Sequence, residues 1–180
     1  MNIKQRTEEL YPQLVRIRRE LHQHPEPGFK EHWTSAYICG LLDEWGISYE
    51  FPVAGTGIVA MIQGEKPSGN TVALRADMDA LPLTEDISRP FCSLYPGHMH
   101  ACGHDAHVAI ALGTARILME SRSEWSGCVK FFFQPAEESC HGAEPCIAQG
   151  VLEGVDAIYG QHIWDGLEAP YLNVQPGVRM

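Results

Sequence analysis

Thr71-Val72-Ala73-Leu74-Arg75-Ala76-Asp77-Met78-Asp79-Ala80-Leu81-Pro82 begins as a short apolar run and ends in two carboxylates. The run Thr71–Arg75, bounded by turn residues, predicts a buried strand. Asp77 and Asp79 then fall at its C-terminal end, where open α/β sheets keep their sites. They are two residues apart, so an extended backbone points both the same way.

Downstream the pattern repeats. Met99-His100-Ala101-Cys102-Gly103-His104-Asp105-Ala106-His107 packs three histidines, a cysteine and an aspartate into nine residues. It opens a helix expected over Asp105 to Glu120, with Val108, Ala111, Leu112, Ala115, Leu118 and Met119 on the buried face. Cys128 to Phe133 is strongly β-prone and ends in Gln134-Pro135-Ala136-Glu137-Glu138. A helix over Gly142–Gly150 follows, then a strand over Val155–Tyr159 leading to Gly160-Gln161-His162. Three strand ends thus carry Asp77/Asp79, Glu137/Glu138 and His162, and Cys102/His104 opens the helix between them.

Upstream, Leu10, Leu14, Ile17 and Leu21 mark an amphipathic helix from Ile3 to Leu21 or His22. Pro25, Pro27 and Gly28 end it. His22 and His24 read as a helix-terminal cation and a turn residue. A second helix over Glu31–Glu44 stops at Gly46. Strands are expected at Ile47–Phe51 and Ile58–Ile62, with a surface turn at Lys66–Asn70 and another at Ser126-Gly127. Glu85–Pro96 has no clean period and reads as a loop over the site. Asn173–Val178 begins a further element. The alternation of β and α predicts an α/β three-layer sandwich, with a mainly parallel central sheet and helices on both faces.

Composition narrows the function. The 180 residues suffice for one sizeable core. The formal net charge is −10, from 13 Lys+Arg against 23 Asp+Glu, a poor balance for binding nucleic acid. The first nine residues are polar, unlike a signal peptide. The longest apolar stretch, Val108–Met119, is broken by Arg116, so no membrane span is expected. Six cysteines without a secretion signal read as free or metal-bound thiols in a reducing cytoplasm.

Cys102 and His104, two apart on a loop, can reach one small volume. A carboxylate and another imidazole would complete a mixed S/N/O site suited to zinc, manganese or cobalt more than to magnesium. Of the adjacent Glu137 and Glu138, one could bind metal and the other serve as base. No Gly-x-Ser-x-Gly elbow supports a serine hydrolase, and no glycine-rich loop supports a phosphate site. Cys102 and His104 are too close in sequence for a good nucleophile–base pair. Cys140-His141 with Cys146 matches no established zinc spacing.

Five motifs in order resemble the amidohydrolase branch of the aminoacylase/carboxypeptidase metallopeptidases, which includes hippurate hydrolases, N-acetyl-amino-acid deacetylases and auxin-conjugate hydrolases. They are Arg18–Glu26, Ala73–Pro82, Met99–Asp105, Phe133–Glu138 and Gly160–His162. The resemblance implies two divalent metal ions (manganese, zinc, cobalt or nickel). Cys102, His104, Glu138 and His162 would be ligands and Glu137 the general base. Asp77 or Asp79 would orient a ligand, and His107 would stand behind the metal. The implied reaction is hydrolysis of N-acyl amino acids, with no nucleic-acid or membrane partner. Ser139-Cys140-His141 departs from the glycine-rich turn usual after the paired glutamates. Family members are about twice this length, beyond the usual single-domain range. The chain is therefore expected to be the first part of the catalytic domain, without the lid through which the whole protein would form a homodimer. A further histidine ligand is expected in the remainder, so the 180 residues alone are not expected to turn over substrate at the family's rate. A non-catalytic metal-binding or scaffold remnant is the second reading.

Overall fold

The computed structural model describes residues 1–86, 90–139, 141–166 and 168. Four α-helices and five strands are described: α1 (Ile3–Gln23), α2 (His32–Glu44), β1 (Ser48–Val53), β2 (Gly57–Gln63), β3 (Lys66–Asp77), α3 (His104–Glu120), β4 (Ser126–Gln134), α4 (Ala143–Ala148) and β5 (Ala157–Gly160). The strands form one sheet in the order β1-β2-β4-β3-β5.

Strand alternation separates two cores. Ile58, Ala60 and Ile62 of β2, Ala76 of β3, and Phe131 and Phe133 of β4 face one side. There they meet Ile17 and Leu21 of α1, Ile38 and Leu42 of α2, and Val108, Leu112 and Ala115 of α3. The intervening residues Val59 and Phe132 face the other way, against Val53, Cys146 of α4 and Val151. Helices therefore flank both faces, three on one side and the short α4 on the other.

The sheet is mixed, not mainly parallel. β3 runs parallel to β4 and to β5, but β2 is antiparallel to both β1 and β4. Connection length is the reason. A parallel neighbour needs a crossover of a dozen or more residues. Only the α3 and α4 connections are that long. Ala54-Gly55-Thr56 closes a hairpin between β1 and β2, with Gly55 at φ +94°. Gly64-Glu65 is all that separates β2 from β3, so the chain passes the start of β4 and pairs on its far side. Two expected turns are consequently strand: Lys66–Asn70 opens β3, and Ser126-Gly127 opens β4. Lys66 pairs with Ser126, and the register then shifts before Thr71 meets Cys128. Asn173–Val178 lies outside the described residues.

His22 is not a solvated helix-end cation. It is buried, with Nδ1 2.6 Å from Asp105 Oδ2 and Nε2 3.0 Å from Glu85 Oε1. The Arg18 Nε lies 2.8 Å from the same Asp105 oxygen. This buried network ties α1, the first turn of α3 and Glu85 together. Leu94 N–H donates to the Gln23 carbonyl, and Phe91 lies beneath the Arg18 and Arg19 guanidiniums.

Candidate metal centre

β3 ends at Asp77 and β4 at Gln134, side by side in register. The loops leaving them deliver Asp79 and the Glu137-Glu138 pair to one rim of the sheet. α3 begins at His104, after Gly103 turns the chain at φ +89°. A side chain at Gly103 would stand 2.2 Å from Ile163 Cδ1, so glycine serves both the turn and the close approach of the segment after β5. That segment carries His162.

His104 is the centre of the cluster. Its Nδ1 donates to the Asp79 carbonyl at 2.9 Å, which leaves Nε2 as the ring nitrogen open to a ligand. Around Nε2 stand Asp77 Oδ2 at 3.6 Å, Glu137 Oε2 at 3.8 Å and Glu138 Oε1 at 3.8 Å. Neither His104 Nε2 nor Glu138 Oε1 has a hydrogen-bond partner, and both are buried. Cys102 Sγ lies 3.3 Å from His162 Nε2. Candidate ligand atoms lie within 4.8 Å of one another in three overlapping groups: Cys102/His104/His162, Asp77/His104/His107 and His104/Glu137/Glu138. His104 belongs to all three.

The electrostatics suit a cation. Burial pushes the Cys102 thiol up to about 12, helped by its contact with the Glu138 carboxylate and the charges of Glu138, Glu137 and Asp77. Burial works to raise the Asp77 carboxyl. The hydrogen bond from His107 and the charges of His104 and Arg75 outweigh it, so the net direction is down. Asp79 is lowered likewise, burial being outweighed by the bonds from His104 and from the Glu138 and Glu137 N–H groups. Burial works to lower the His104 pKa, but the bond to Asp79 and the charges of Asp77, Asp79 and Glu138 outweigh it, so the net direction is up. Gathered carboxylates call for a positive charge among them, and a bound divalent cation would take the place of that proton. Thiolate, imidazole and carboxylate together are donors for a borderline divalent metal, and an imidazole fixed through its other nitrogen to a carbonyl is ready to ligate. The residues fit such an ion.

His107 and the two aspartates are fixed by hydrogen bonds around the cluster. His107 Nδ1 donates to Asp77 Oδ1 at 2.6 Å, and its Nε2 accepts from Ile163 N–H at 2.9 Å. Both ring nitrogens are thereby engaged, linking β3 to the segment bearing His162. Asp79 accepts from the N–H groups of Glu137 and Glu138 at 3.0 and 2.9 Å. Glu137 is 38% exposed and borders an open cleft of about 520 Å³ that Arg75, Gln134 and Glu144 also line. A larger recess over β1 and β2, about 730 Å³, shares no residue with the cluster. Cys140 falls outside the described residues, so the Ser139-Cys140-His141 departure cannot be placed whole. The spacing of residues did not point to Glu31 or to the Arg18–Asp105–His22–Glu85 network. Their signal would have been acids beside histidines at element ends.

An α/β domain whose sheet rim gathers a thiol, imidazoles and carboxylates around one buried imidazole nitrogen has the architecture of a metal-dependent hydrolase. Residues 73–178 match peptidase family M20/M25/M40, and the chain belongs to that family. It is 40% identical over 179 residues to an N-acyl-L-amino acid amidohydrolase of Geobacillus stearothermophilus, covering 99% of this chain and 48% of that protein. It is 43% identical over 171 residues to an N-acetylcysteine deacetylase of Bacillus subtilis, covering 94% and 45%. A crystal structure of a dinuclear metal binding peptidase of the M20 family from Bacillus subtilis superposes with a TM-score of 0.85 at 44% identity, covering 89% of this chain and 45% of that one. The chain thus spans less than half the length of these relatives. No described helix is long and apolar enough to cross a membrane.

Proposed function

We propose that this chain supplies the first part of the catalytic domain of a metal-dependent amidohydrolase that cleaves N-acyl amino acids. The observation that carries the reading is the buried, unpartnered His104 Nε2 facing Glu137 and Glu138 oxygens at 3.8 Å each. Cys102, His104, Glu138 and His162 would hold two divalent ions between them, of manganese, zinc, cobalt or nickel. When bound, such ions lower the pKa of water and polarise the scissile carbonyl. Glu137, at the open edge of the cleft, takes the proton from the attacking water as its oxygen adds to the carbonyl carbon. Glu137 then passes that proton to the amide nitrogen as the C–N bond breaks, so a carboxylic acid and an amino acid leave. Asp79 holds the backbone of both glutamates and the His104 ring, and His107 holds Asp77. The similarity to N-acyl amino acid hydrolases supports the substrate class.

The test divides the two glutamates. Glu137→Gln in the whole protein should keep its metal and lose about a hundredfold or more in kcat. Glu138→Gln should instead lose metal affinity. Hydrolysis of N-acetyl amino acids with metal analysis of each variant reads both, and equal metal loss in the two contradicts the assignment.

A further inference from the structure

Adjacent residues on an extended chain point to opposite sides. Glu137 and Glu138 nonetheless both bring a carboxylate oxygen to 3.8 Å from the same nitrogen. They can do so because the chain turns just before them, at Ala136, whose φ is +52°. A non-glycine residue is unfavourable there, so surrounding contacts must enforce the turn.

Three consecutive backbone N–H groups show how. Ala136 donates to Glu31 Oε1 at 2.8 Å. Glu137 and Glu138 donate to the two oxygens of Asp79. The second Glu31 oxygen accepts from the Thr56 hydroxyl at 2.6 Å, so the carboxylate is fixed at both ends. Gly28 backs the turn so closely that a Cβ there would lie 2.8 Å from the Ala136 Cβ. Glu31 is fully buried at the N-terminus of α2. It could have been a helix cap, but its side chain makes no capping bond to α2. Glu26 does that work, accepting from the N–H groups of Trp33 and Thr34. Burying a carboxylate near Asp79 opposes folding unless its oxygens are used, and here both are spent on the turn and its support.

We infer that Glu31 is a positioning residue for the metal centre: by holding the Ala136 N–H it keeps the left-handed turn that aims Glu137 and Glu138 together at His104. The inference rests on the metal-centre reading above.

Cobalt(II) titration tests it, followed through the thiolate-to-cobalt absorption from Cys102 and by calorimetry, with thermal unfolding measured alongside. Glu31→Ala should weaken cobalt binding about tenfold or more, whereas Glu31→Gln should stay within about threefold of the parent protein. The glutamine oxygen still accepts from Ala136 N–H, and its amide can donate to Thr56 Oγ1. Thr56→Val, which frees one end of Glu31 at a distance from the cluster, should fall between the two and carries the test if Glu31→Ala does not fold. Parent-like affinity in a folded Glu31→Ala protein overturns the inference, as does unchanged affinity in Thr56→Val if that variant alone folds. Glu31→Gln as weak as Glu31→Ala also overturns it, because charge and not the hydrogen bond would then matter. Absence of the thiolate–cobalt absorption in the parent protein is a separate outcome that refutes the metal-centre reading itself and the inference with it.

Discussion

Cys102 shows how a single side chain depends on the charge around it. With its thiol pushed up to about 12 by burial and by the neighbouring glutamates, it is a neutral S–H at pH 7 when no cation is present. A bound divalent ion reverses that balance, since a coordinating thiol gives up its proton. Metal binding should therefore release protons, and apparent affinity should climb as pH rises from about 6 to 8. Calorimetry in buffers of different ionisation enthalpy measures the protons released, and Cys102→Ser should release fewer and bind more weakly. Affinity flat with pH in the parent protein contradicts thiolate ligation. At this scale the sequence was most informative where chemistry is dense: Cys102, His104 and His162 stood out at element ends, and the fold brings their ligand atoms within 4.8 Å of one another. Glu31 and the pairing of Asp105 with His22 were invisible in this sense. An acid near a helix start looks like any solvated carboxylate until the fold buries it against a backbone N–H or an imidazole.

The elements explain why those side chains meet. α3 must begin directly after Cys102, and Gly103 makes that possible with a left-handed turn pressed against Ile163. Gly103→Ala should cost about 1–2 kcal/mol from the backbone alone. The clash would also push the 161–164 segment, and His162 with it, away from Cys102. Thermal unfolding and metal titration should both register the change, and a variant with parent-like values in both would show that the turn is dispensable. Local periodicity made α1, α3 and β4 legible, because Leu10, Ile17 and Leu21, or Phe131 and Phe133, are spaced by the geometry of their own element. The order β1-β2-β4-β3-β5 was not legible. It follows from pairings such as Ala73 with Lys130, which no local spacing encodes. The clue available was connection length: Gly64-Glu65 is too short for the parallel crossover that the α/β alternation suggested.

Across the molecule, the rim with the candidate metal ligands is joined to the outer helices through the buried His22. Burial works to lower the pKa of this imidazole, but its bonds to Asp105 and Glu85 outweigh that, so the net direction is up. Arg18 and His100 also face it, and His100 is driven down to about 4 by its burial. Because the folded pKa of His22 exceeds the ordinary imidazole value of 6.5, its contribution is complete below pH 6.5 and is lost as pH rises through the raised value. His22→Gln should lower stability by about 3 kcal/mol at pH 6. The gap from the parent protein should narrow in alkaline buffer. Denaturant unfolding across pH 5.5–9 measures it, and a gap that widens with pH contradicts a charged His22 between two carboxylates. The most direct test of the central claim is anomalous diffraction from crystals of the protein grown with manganese, cobalt or zinc. The expected result is two peaks among Cys102 Sγ, His104 Nε2, Glu138 and His162, at ligand distances of about 2.0–2.3 Å. A peak elsewhere, or no ordered ion at saturating metal, would contradict it.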